Sequence, residues 1–482
     1  MKNDFLIQKD KYKWEIPQDY QSGMNVPGII FSDEKLIEQI IKDNAFKQVA
    51  NVANLPGIFR NSLAMPDIHW GYGFPIGGVA AIDTRNGVVS PGGVGSDINC
   101  GVRMLNSNMK FEDIQDKIGK LLESIFTNVP SGIGKSGKIS LSHNELEQVL
   151  VKGSRWAVEN GYGKKIDLLN TEDQGEMRGA KPDSLSQRAR KRGLNQLGTL
   201  GSGNHFIEIQ VVDEIFDSEA SSKLHIHKGD VMIMIHTGSR GLGYQVCDDY
   251  AKGLIGRMEN YGISVPDKQL ACAPIDSKDG KTYLQAMAGA ANYAWANRQV
   301  IMHWVRKAVS DIMRETSDNL GLELIYDVAH NIAKFETHHI DGKEYEFLVH
   351  RKGATRAFAP GRQELPGHYR NLGQPVIIPG DMGTASYILL GTEGAMKETF
   401  GSTCHGAGRV MSRRKAKRTK KGSHVISDLK KKGIKIRAAG IKTVAEEMPE
   451  AYKNIDEIID IVHNAGISKK VARMKPLGVV KG

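Results

Sequence analysis

Cysteine is scarce in this chain. Its four cysteines, Cys100, Cys247, Cys272 and Cys404, are spread through 482 residues without a short-spaced pair. That distribution excludes a disulfide scaffold and fits a reducing compartment. Long apolar runs are missing too: nothing approaches the roughly 18 residues of a membrane span. The opening Met1-Lys2-Asn3-Asp4-Phe5 has no apolar leader character. Together these absences predict a soluble, cytoplasmic protein that does not enter a membrane. Proline is limited to 16 residues and charged residues to 25%, a balance that excludes disordered and fibrous classes. Two common nucleotide signatures are also absent: the Gly-x4-Gly-Lys-Ser/Thr loop, and a strand-to-helix Gly-x-Gly-x-x-Gly followed by a suitably spaced acid. P-loop and Rossmann readings lose their support.

Acidic residues run short in one place. Between Arg409 and Arg437 stand thirteen Lys or Arg and a single acid, Asp428, and the whole chain carries a formal net charge of +10. Such a balance favours a polyanion as partner, with nucleic acid the leading class. A second basic cluster covers Arg188, Arg190 and Arg192, and His368 and Tyr369 are candidate stacking groups. Glycine, by contrast, is abundant at 53 residues. It gathers at Gly71 to Gly78, Gly92 to Gly101, Gly198 to Gly203 and Gly238 to Gly243, as expected of a site built from loops that approach a ligand closely.

Periodicity supplies a coarse map. Ser32 is the expected N-cap of a helix through Asp43, and strands are expected at 77–82, 101–105, 205–212, 231–235, 323–328 and 376–378. Residues 111–197 read as mainly helical, 283–310 as one Ala-rich helix, and 449–463 as a last helix followed by a Lys- and Gly-containing tail. No internal repeat or low-complexity linker divides the chain. The expectation is one compact α+β (mixed α/β) domain over residues 1–482, with a basic segment at 409–437.

The most informative stretch is Thr403-Cys404-His405-Gly406-Ala407-Gly408-Arg409. It places one imidazole among small residues, ahead of the basic run, with its ring expected to be exposed. That setting suits attack on a phosphorus centre, making His405 the candidate nucleophile. Elsewhere Asp97 and Cys100 share a Gly-rich loop, while His205, His236 and His330 each stand at the end of an apolar strand. Strands that converge would aim imidazole, thiolate and carboxylate at one centre, a donor set suited to Mn, Fe, Co or Zn. Gly238-Ser239-Arg240-Gly241 and Gly380-Asp381-Met382-Gly383-Thr384-Ala385-Ser386 are candidate phosphate loops.

These residues carry a family resemblance. The strings Met65-Pro66-Asp67-Ile68-His69-Trp70-Gly71-Tyr72-Gly73, Gly92-Gly93-Val94-Gly95-Ser96-Asp97-Ile98-Asn99-Cys100-Gly101, Gly201-Ser202-Gly203-Asn204-His205-Phe206, His236-Thr237-Gly238-Ser239-Arg240-Gly241, Tyr326-Asp327-Val328-Ala329-His330-Asn331 and Thr403 to Arg409 are similar to those of RtcB-type tRNA-splicing ligases, from about Met24 to Gly482. The resemblance implies a fold unlike the classical nucleotidyltransferases, with strands converging on a central metal site. It implies GTP and two manganese ions per subunit as cofactors, and His405 as the residue that carries GMP. By the same resemblance Cys100 bridges the two ions, one held by His236 and His330, the other by Asp97 and His205. Nucleotide contacts would fall on Asn204, His205, Phe206, Ile207, Glu208, His330, Asn331, Pro379, Gly380, Asp381, Met382, Ser386, His405, Gly406, Ala407, Gly408 and Lys481. Asp67 would help position or deprotonate a 5′-hydroxyl. RNA contacts are expected at Arg188, Arg190, Arg192, Arg409 and Arg413. The implied partners are RNA, as tRNA halves or broken ends, and in some members archease; a monomer is expected. Strict GTP dependence would separate such a ligase from a phosphoesterase acting on RNA ends.

Overall fold

Strand Val231–Thr237 is buried along its whole length. Val231, Ile233 and Ile235 enter one hydrophobic cluster, while Met232 and Met234 enter another. A period of two with both faces apolar requires a packed layer on each side. The computed structural model, which describes residues 5–482, places this strand inside an eight-stranded sheet. Its order is Leu324–Ala329, Gly101–Leu105, Val231–Thr237, Phe206–Ile215, Ser468–Lys481, Ser386–Gly391 and Pro375–Ile378, with Lys435–Ala438 joined in parallel to Ser468–Lys481. One face packs on helices near the C-terminus through Ala416, Val425, Leu429 and Val444. The other packs on helix Ile118–Asn128 and the end of a long helix through Leu121, Ile125, Ile301 and Val305.

A second sheet has seven strands, in the order Ile7–Asp10, Lys13–Ile16, Gly28–Phe31, Ser62–His69, Ile76–Asp83, Lys343–Lys352 and Asn331–Ile340. The chain passes from the first sheet to the second at a single residue, His330, between Leu324–Ala329 and Asn331–Ile340. A two-stranded ribbon, Ala354–Arg356 with Ser402–Cys404, ends at His405. The junction of the sheets therefore gathers the residues singled out by sequence. The fold is mixed α/β, as expected, with sixteen α-helices among the described residues.

Helix Lys278–Met313 runs for 36 residues and is capped by the Ser277 side chain, which accepts from the Gly280 N–H. It is buried on most sides, so its polar residues must find partners inside the protein. Asn297 Oδ1 accepts from the N–H groups of Gly198 and Thr199, at 2.8 and 3.1 Å, and its Nδ2 donates to the carbonyl of Gly238. Arg298 donates to the carbonyls of Asn99 and Thr237, at 2.7 and 3.0 Å, and to both carboxylate oxygens of Asp327. Arg103 shares that carboxylate at 2.8 Å.

Three expectations need correction. The cap of the first helix is Asp33, whose carboxylate accepts from the Leu36 N–H at 2.7 Å; Ser32 is buried, and its hydroxyl turns to the Asp33 carbonyl. Pro449–Ala451 is a separate turn, and the last helix is Ile455–Asn464. The segment read as a tail is the 14-residue strand Ser468–Lys481, paired on both sides within the large sheet. Its lysines and Pro476 mask a strand pattern, and Pro476, which has no N–H to give a ladder, sits where the pairing register slips.

Asp327→Asn leaves two buried guanidinium groups without their shared carboxylate and should cost about 3–5 kcal/mol of stability. Denaturant unfolding checks this, and an unchanged midpoint would contradict it.

Candidate active site and metal centre

Four neighbouring strands end together. Gly101 pairs with Ala329 on one side and Thr237 on the other, and His236 pairs with Phe206. Cys100 precedes Gly101, His330 follows Ala329 and His205 precedes Phe206, so antiparallel pairing brings all four side chains to one edge of the sheet. Cys100 Sγ lies 3.3 Å from His236 Nε2 and 3.5 Å from His205 Nε2, while His236 Nε2 and His330 Nε2 are 3.3 Å apart. Asp97 Oδ2 stands 2.7 Å from His205 Nε2. Two ligand triads result, Cys100 with His236 and His330, and Asp97 with Cys100 and His205, and Cys100 belongs to both.

The protonation pattern fits a cation. His205 Nδ1 lies 3.0 Å from the Leu200 carbonyl, with the Thr237 hydroxyl and the Arg240 guanidinium each 3.3 Å away, so its other nitrogen is the one turned to the centre. Nε2 faces both the Asp97 oxygen and the Cys100 sulfur, the geometry of a ring nitrogen that shares a cation with them. Burial pushes His236 and His330 well below the usual imidazole range, so their Nε2 atoms meet as neutral donors to a metal. Burial would raise Asp97, but His205 and Arg240 outweigh it and hold the carboxyl at about 2. Burial, reinforced by the Asp97 charge, raises the Cys100 thiol well above its ordinary value, so the thiolate needs a cation to form. Thiolate, imidazole and carboxylate at these distances suit a borderline transition metal. The loop allows the approach because Gly238 has no Cβ; one would fall on the Asp97 carboxylate.

His405 faces the same cavity, of about 250 Å³, which is lined among others by Asp97, Cys100, His236, His330 and Lys481. Its side chain is only 15% exposed, against the exposed ring expected, because it packs edge-on against His330 with ring centroids 5.1 Å apart. Asp67 is fully buried behind it. One carboxylate oxygen of Asp67 meets His405 Nδ1 at 2.5 Å and accepts from the His405 backbone N–H at 3.0 Å. Burial would raise the Asp67 carboxyl, but the His405 ring and Lys453 hold it below the usual range. Asp67 thus sits behind the ring and is not among the residues that line the cavity. Gly408, at φ +72°, lets the loop cross the Asp67 carbonyl, where a Cβ would collide.

The nucleotide candidates divide by strand alternation. Phe206 packs with the cluster on one face, Ile207 with the cluster on the other. Phe206 and Glu208 therefore share the cavity side, and the Ile207 side chain points away from it. The Lys481 ammonium lies 5.4 Å from the centre of the Phe206 ring. Asn204, Asn331, Pro379 to Met382 and Gly406 to Gly408 line the cavity. Ser386 accepts from Gln210 and from the Gly380 N–H. Burial raises Glu208 to about 8 and lowers Lys481 to about 8.

Several basic residues are less available than their sequence suggests. Arg409 and Arg413 line the cavity wall and are paired with Glu447 at 2.7 and 3.0 Å. Arg190 is paired with Asp183 and Glu147, and Arg192 donates to the Gly241 carbonyl; Arg188 is exposed. Within the basic run, Lys417, Lys420 and Arg437 meet Glu446, Glu450 and Glu123 from outside it. Tyr369 is buried with its hydroxyl on the Ile325 carbonyl. Conversely, His69, Lys352, Glu447 and Tyr452 line the cavity without having been singled out by sequence. His69 stands inside the Met65 to Gly73 string without a role of its own there, while Lys352, Glu447 and Tyr452 belong to no local motif and are brought in only by the fold.

The family model for tRNA-splicing ligase RtcB matches residues 48–482. The chain belongs to the RtcB family. It is 58% identical to the tRNA-splicing ligase RtcB of Archaeoglobus fulgidus over 471 residues, covering 98% of each chain. Over 477 residues it is 51% identical to that of Thermococcus kodakarensis, covering 99% of each. For the Methanococcus maripaludis protein the figures are 54% over 469 residues, 97% of this chain and 98% of the relative.

Glu208 gives a pH test. Its carboxyl rises from about 4.3 in the unfolded chain to about 8 in the fold. Folding holds it neutral, so stability falls as pH climbs through that interval and is regained below it. Glu208→Gln should therefore melt at least about 2 °C above the parent at pH 8 and much closer to it at pH 5. A difference independent of pH would contradict the assignment.

Proposed function

We propose that this protein is a GTP- and manganese-dependent RNA ligase that joins a 2′,3′-cyclic phosphate or 3′-phosphate end to a 5′-hydroxyl end, in tRNA splicing or RNA repair. The names of its relatives support an RNA ligase of the splicing type. The observation that carries the finer reading is the setting of His405, braced through Nδ1 by Asp67 and facing a cavity lined by Asp97, Cys100, His236 and His330 of the two ligand triads.

Asp67 accepts the Nδ1 proton and so presents His405 Nε2 as a lone pair. His405 attacks the α-phosphorus of GTP: an N–P bond forms, the bond from phosphorus to the bridging oxygen breaks, and pyrophosphate leaves. Phe206, Glu208 and Lys481 form the wall that would receive the base, while Gly406 to Gly408 keep side chains clear of the phosphates. Manganese, held by Cys100 with His236 and His330 and by Cys100 with Asp97 and His205, would neutralise charge building on the phosphate oxygens. An RNA 3′-phosphate oxygen then attacks the same phosphorus, and His405 leaves with its lone pair restored. A 2′,3′-cyclic end is first hydrolysed to that 3′-phosphate. The 5′-hydroxyl oxygen of the second RNA attacks the 3′-phosphate, the bond to the GMP phosphate breaks, GMP departs with the hydroxyl proton, and a phosphodiester remains. Asp67, already spent on the ring, acts here as the brace of the nucleophile. RNA would run past the exposed Arg188 and the partly free basic run. A monomer, with archease as an activating partner, completes the reading.

Incubation with labelled GTP and manganese should leave an acid-labile, base-stable nucleotide on the protein, and purified 2′,3′-cyclic-phosphate and 5′-hydroxyl RNA ends should be joined only when GTP is present. His405→Ala should abolish both, and Asp67→Asn should slow labelling by about 100-fold or more. Undiminished labelling of the His405→Ala protein would sink the proposal; ligation without GTP would replace it with a different chemistry.

A further inference from the structure

Strand Ser62–His69 breaks its ladder where it carries Asp67. Ala64 pairs with Gly78 and His69 with Ile76, so the five steps from Ala64 to His69 face only two on the partner strand. The extra residues of this bulge, Met65 to Ile68, have no partner strand to satisfy their carbonyls, and Pro66 has no N–H of its own. Lys453 fills that gap. Its ammonium donates to the carbonyl of Pro66 at 2.9 Å and to the carbonyl of Ile68 at 2.5 Å, one on each side of Asp67. Its backbone N–H donates to the Gly408 carbonyl at 2.9 Å. One residue thus ties the peptide groups flanking Asp67 to the loop that carries His405.

Lys453 is 5% exposed. No carboxylate lies within ion-pair reach of its ammonium among the described residues, and it does not line the cavity. A buried ammonium without a direct counter-ion is costly, and a chain needing only bulk at this point would place an apolar side chain there. Burial lowers this lysine to about 8, while the Asp67 charge opposes that shift. The segment just before helix Ile455–Asn464 and the bulge of Ser62–His69 therefore meet through a single cation.

We propose that Lys453 is a positioning residue for the proposed guanylylation: it holds the bulge so that the Asp67 carboxylate stays on His405 Nδ1 and Nε2 stays aimed at the cavity. This rests on the reading of His405 as nucleophile, but its structural half can be tested without turnover.

The test compares the parent, Lys453→Met and Lys453→Arg in the full chain. In protein labelled with ¹⁵N-histidine, the short His405–Asp67 contact should give a strongly downfield Nδ1–H resonance that His405→Ala removes. Lys453→Met should shift it upfield or lose it, and Lys453→Arg, which keeps a cation with several donors, should largely restore it. In single-turnover labelling with GTP, Lys453→Met should be slower by about 100-fold, the scale of a 1 Å misplacement. Its half-saturating GTP concentration should stay within threefold of the parent, since the cavity walls are unchanged. A resonance and a labelling rate both unaltered in Lys453→Met would overturn the proposal. So would equal loss in rate and GTP affinity that Lys453→Arg did not recover, because that pattern belongs to a general loss of structure. If the parent takes no label at all, the function assigned to His405 fails, and the resonance alone decides the role of Lys453. Should Lys453→Met not fold, Lys453→Gln, which is uncharged and one bond too short to span both carbonyls, takes its place as the loss variant in the same two measurements, with Lys453→Arg again the rescue.

Discussion

Asn297 and Arg298, two adjacent side chains of one buried helix, fix the geometry on which the site depends. Asn297 holds the turn at Gly198 and Thr199 that leads to His205, together with the carbonyl of Gly238. Arg298 holds Asn99 next to Cys100 and Thr237 next to His236. Asp327, three residues ahead of His330, anchors Arg298 in turn. Every loop that presents a candidate ligand is therefore hydrogen-bonded to one turn of one helix, or lies on a strand that is. A rigid support of this kind lets a thiol sit between two triads whose donors would otherwise repel one another or collect protons.

Electrostatics divides the centre into two halves with different requirements. The ligand cluster combines neutral imidazoles, a thiol that burial keeps protonated and a carboxylate held ionised by its neighbours. It awaits positive charge. Beside Phe206 and Lys481 of the cavity wall, burial instead raises the Glu208 carboxyl to about 8 and lowers the Lys481 amine to about 8, so the carboxyl is held neutral next to an amine that keeps its proton at pH 7. His405 stands between them, and Asp67 sets its orientation without entering the cavity.

Much of this was legible in the sequence because each candidate ligand histidine adjoins an apolar strand end, and a strand end is a place where side chains can be aimed together. His205, His236 and His330 carry that signal, Cys100 and Asp97 are marked only by their Gly-rich loop, and the folded sheet is what separates Ile207 from Phe206. The supporting residues left no such trace. Asn297 and Arg298 lie within an Ala-rich helical run, where polar residues ordinarily mark a solvated face. Lys453 is an isolated lysine whose partners are backbone atoms nearly 400 positions away. The strand Ser468–Lys481 was hidden by its charges, which alternate with apolar residues too irregularly to betray a central strand. The basic run misled in the other direction, since local counting misses the acids that other segments bring to it.

The central claim is that the Cys100 sulfur is shared between two cation positions. Crystals of the protein loaded with manganese, measured at the manganese absorption edge, test it most directly. Two anomalous peaks are predicted, one enclosed by Cys100, His236 and His330 and the other by Asp97, Cys100 and His205, each within bonding distance of Sγ. A single peak, or two of which one lies away from Cys100, would contradict the account.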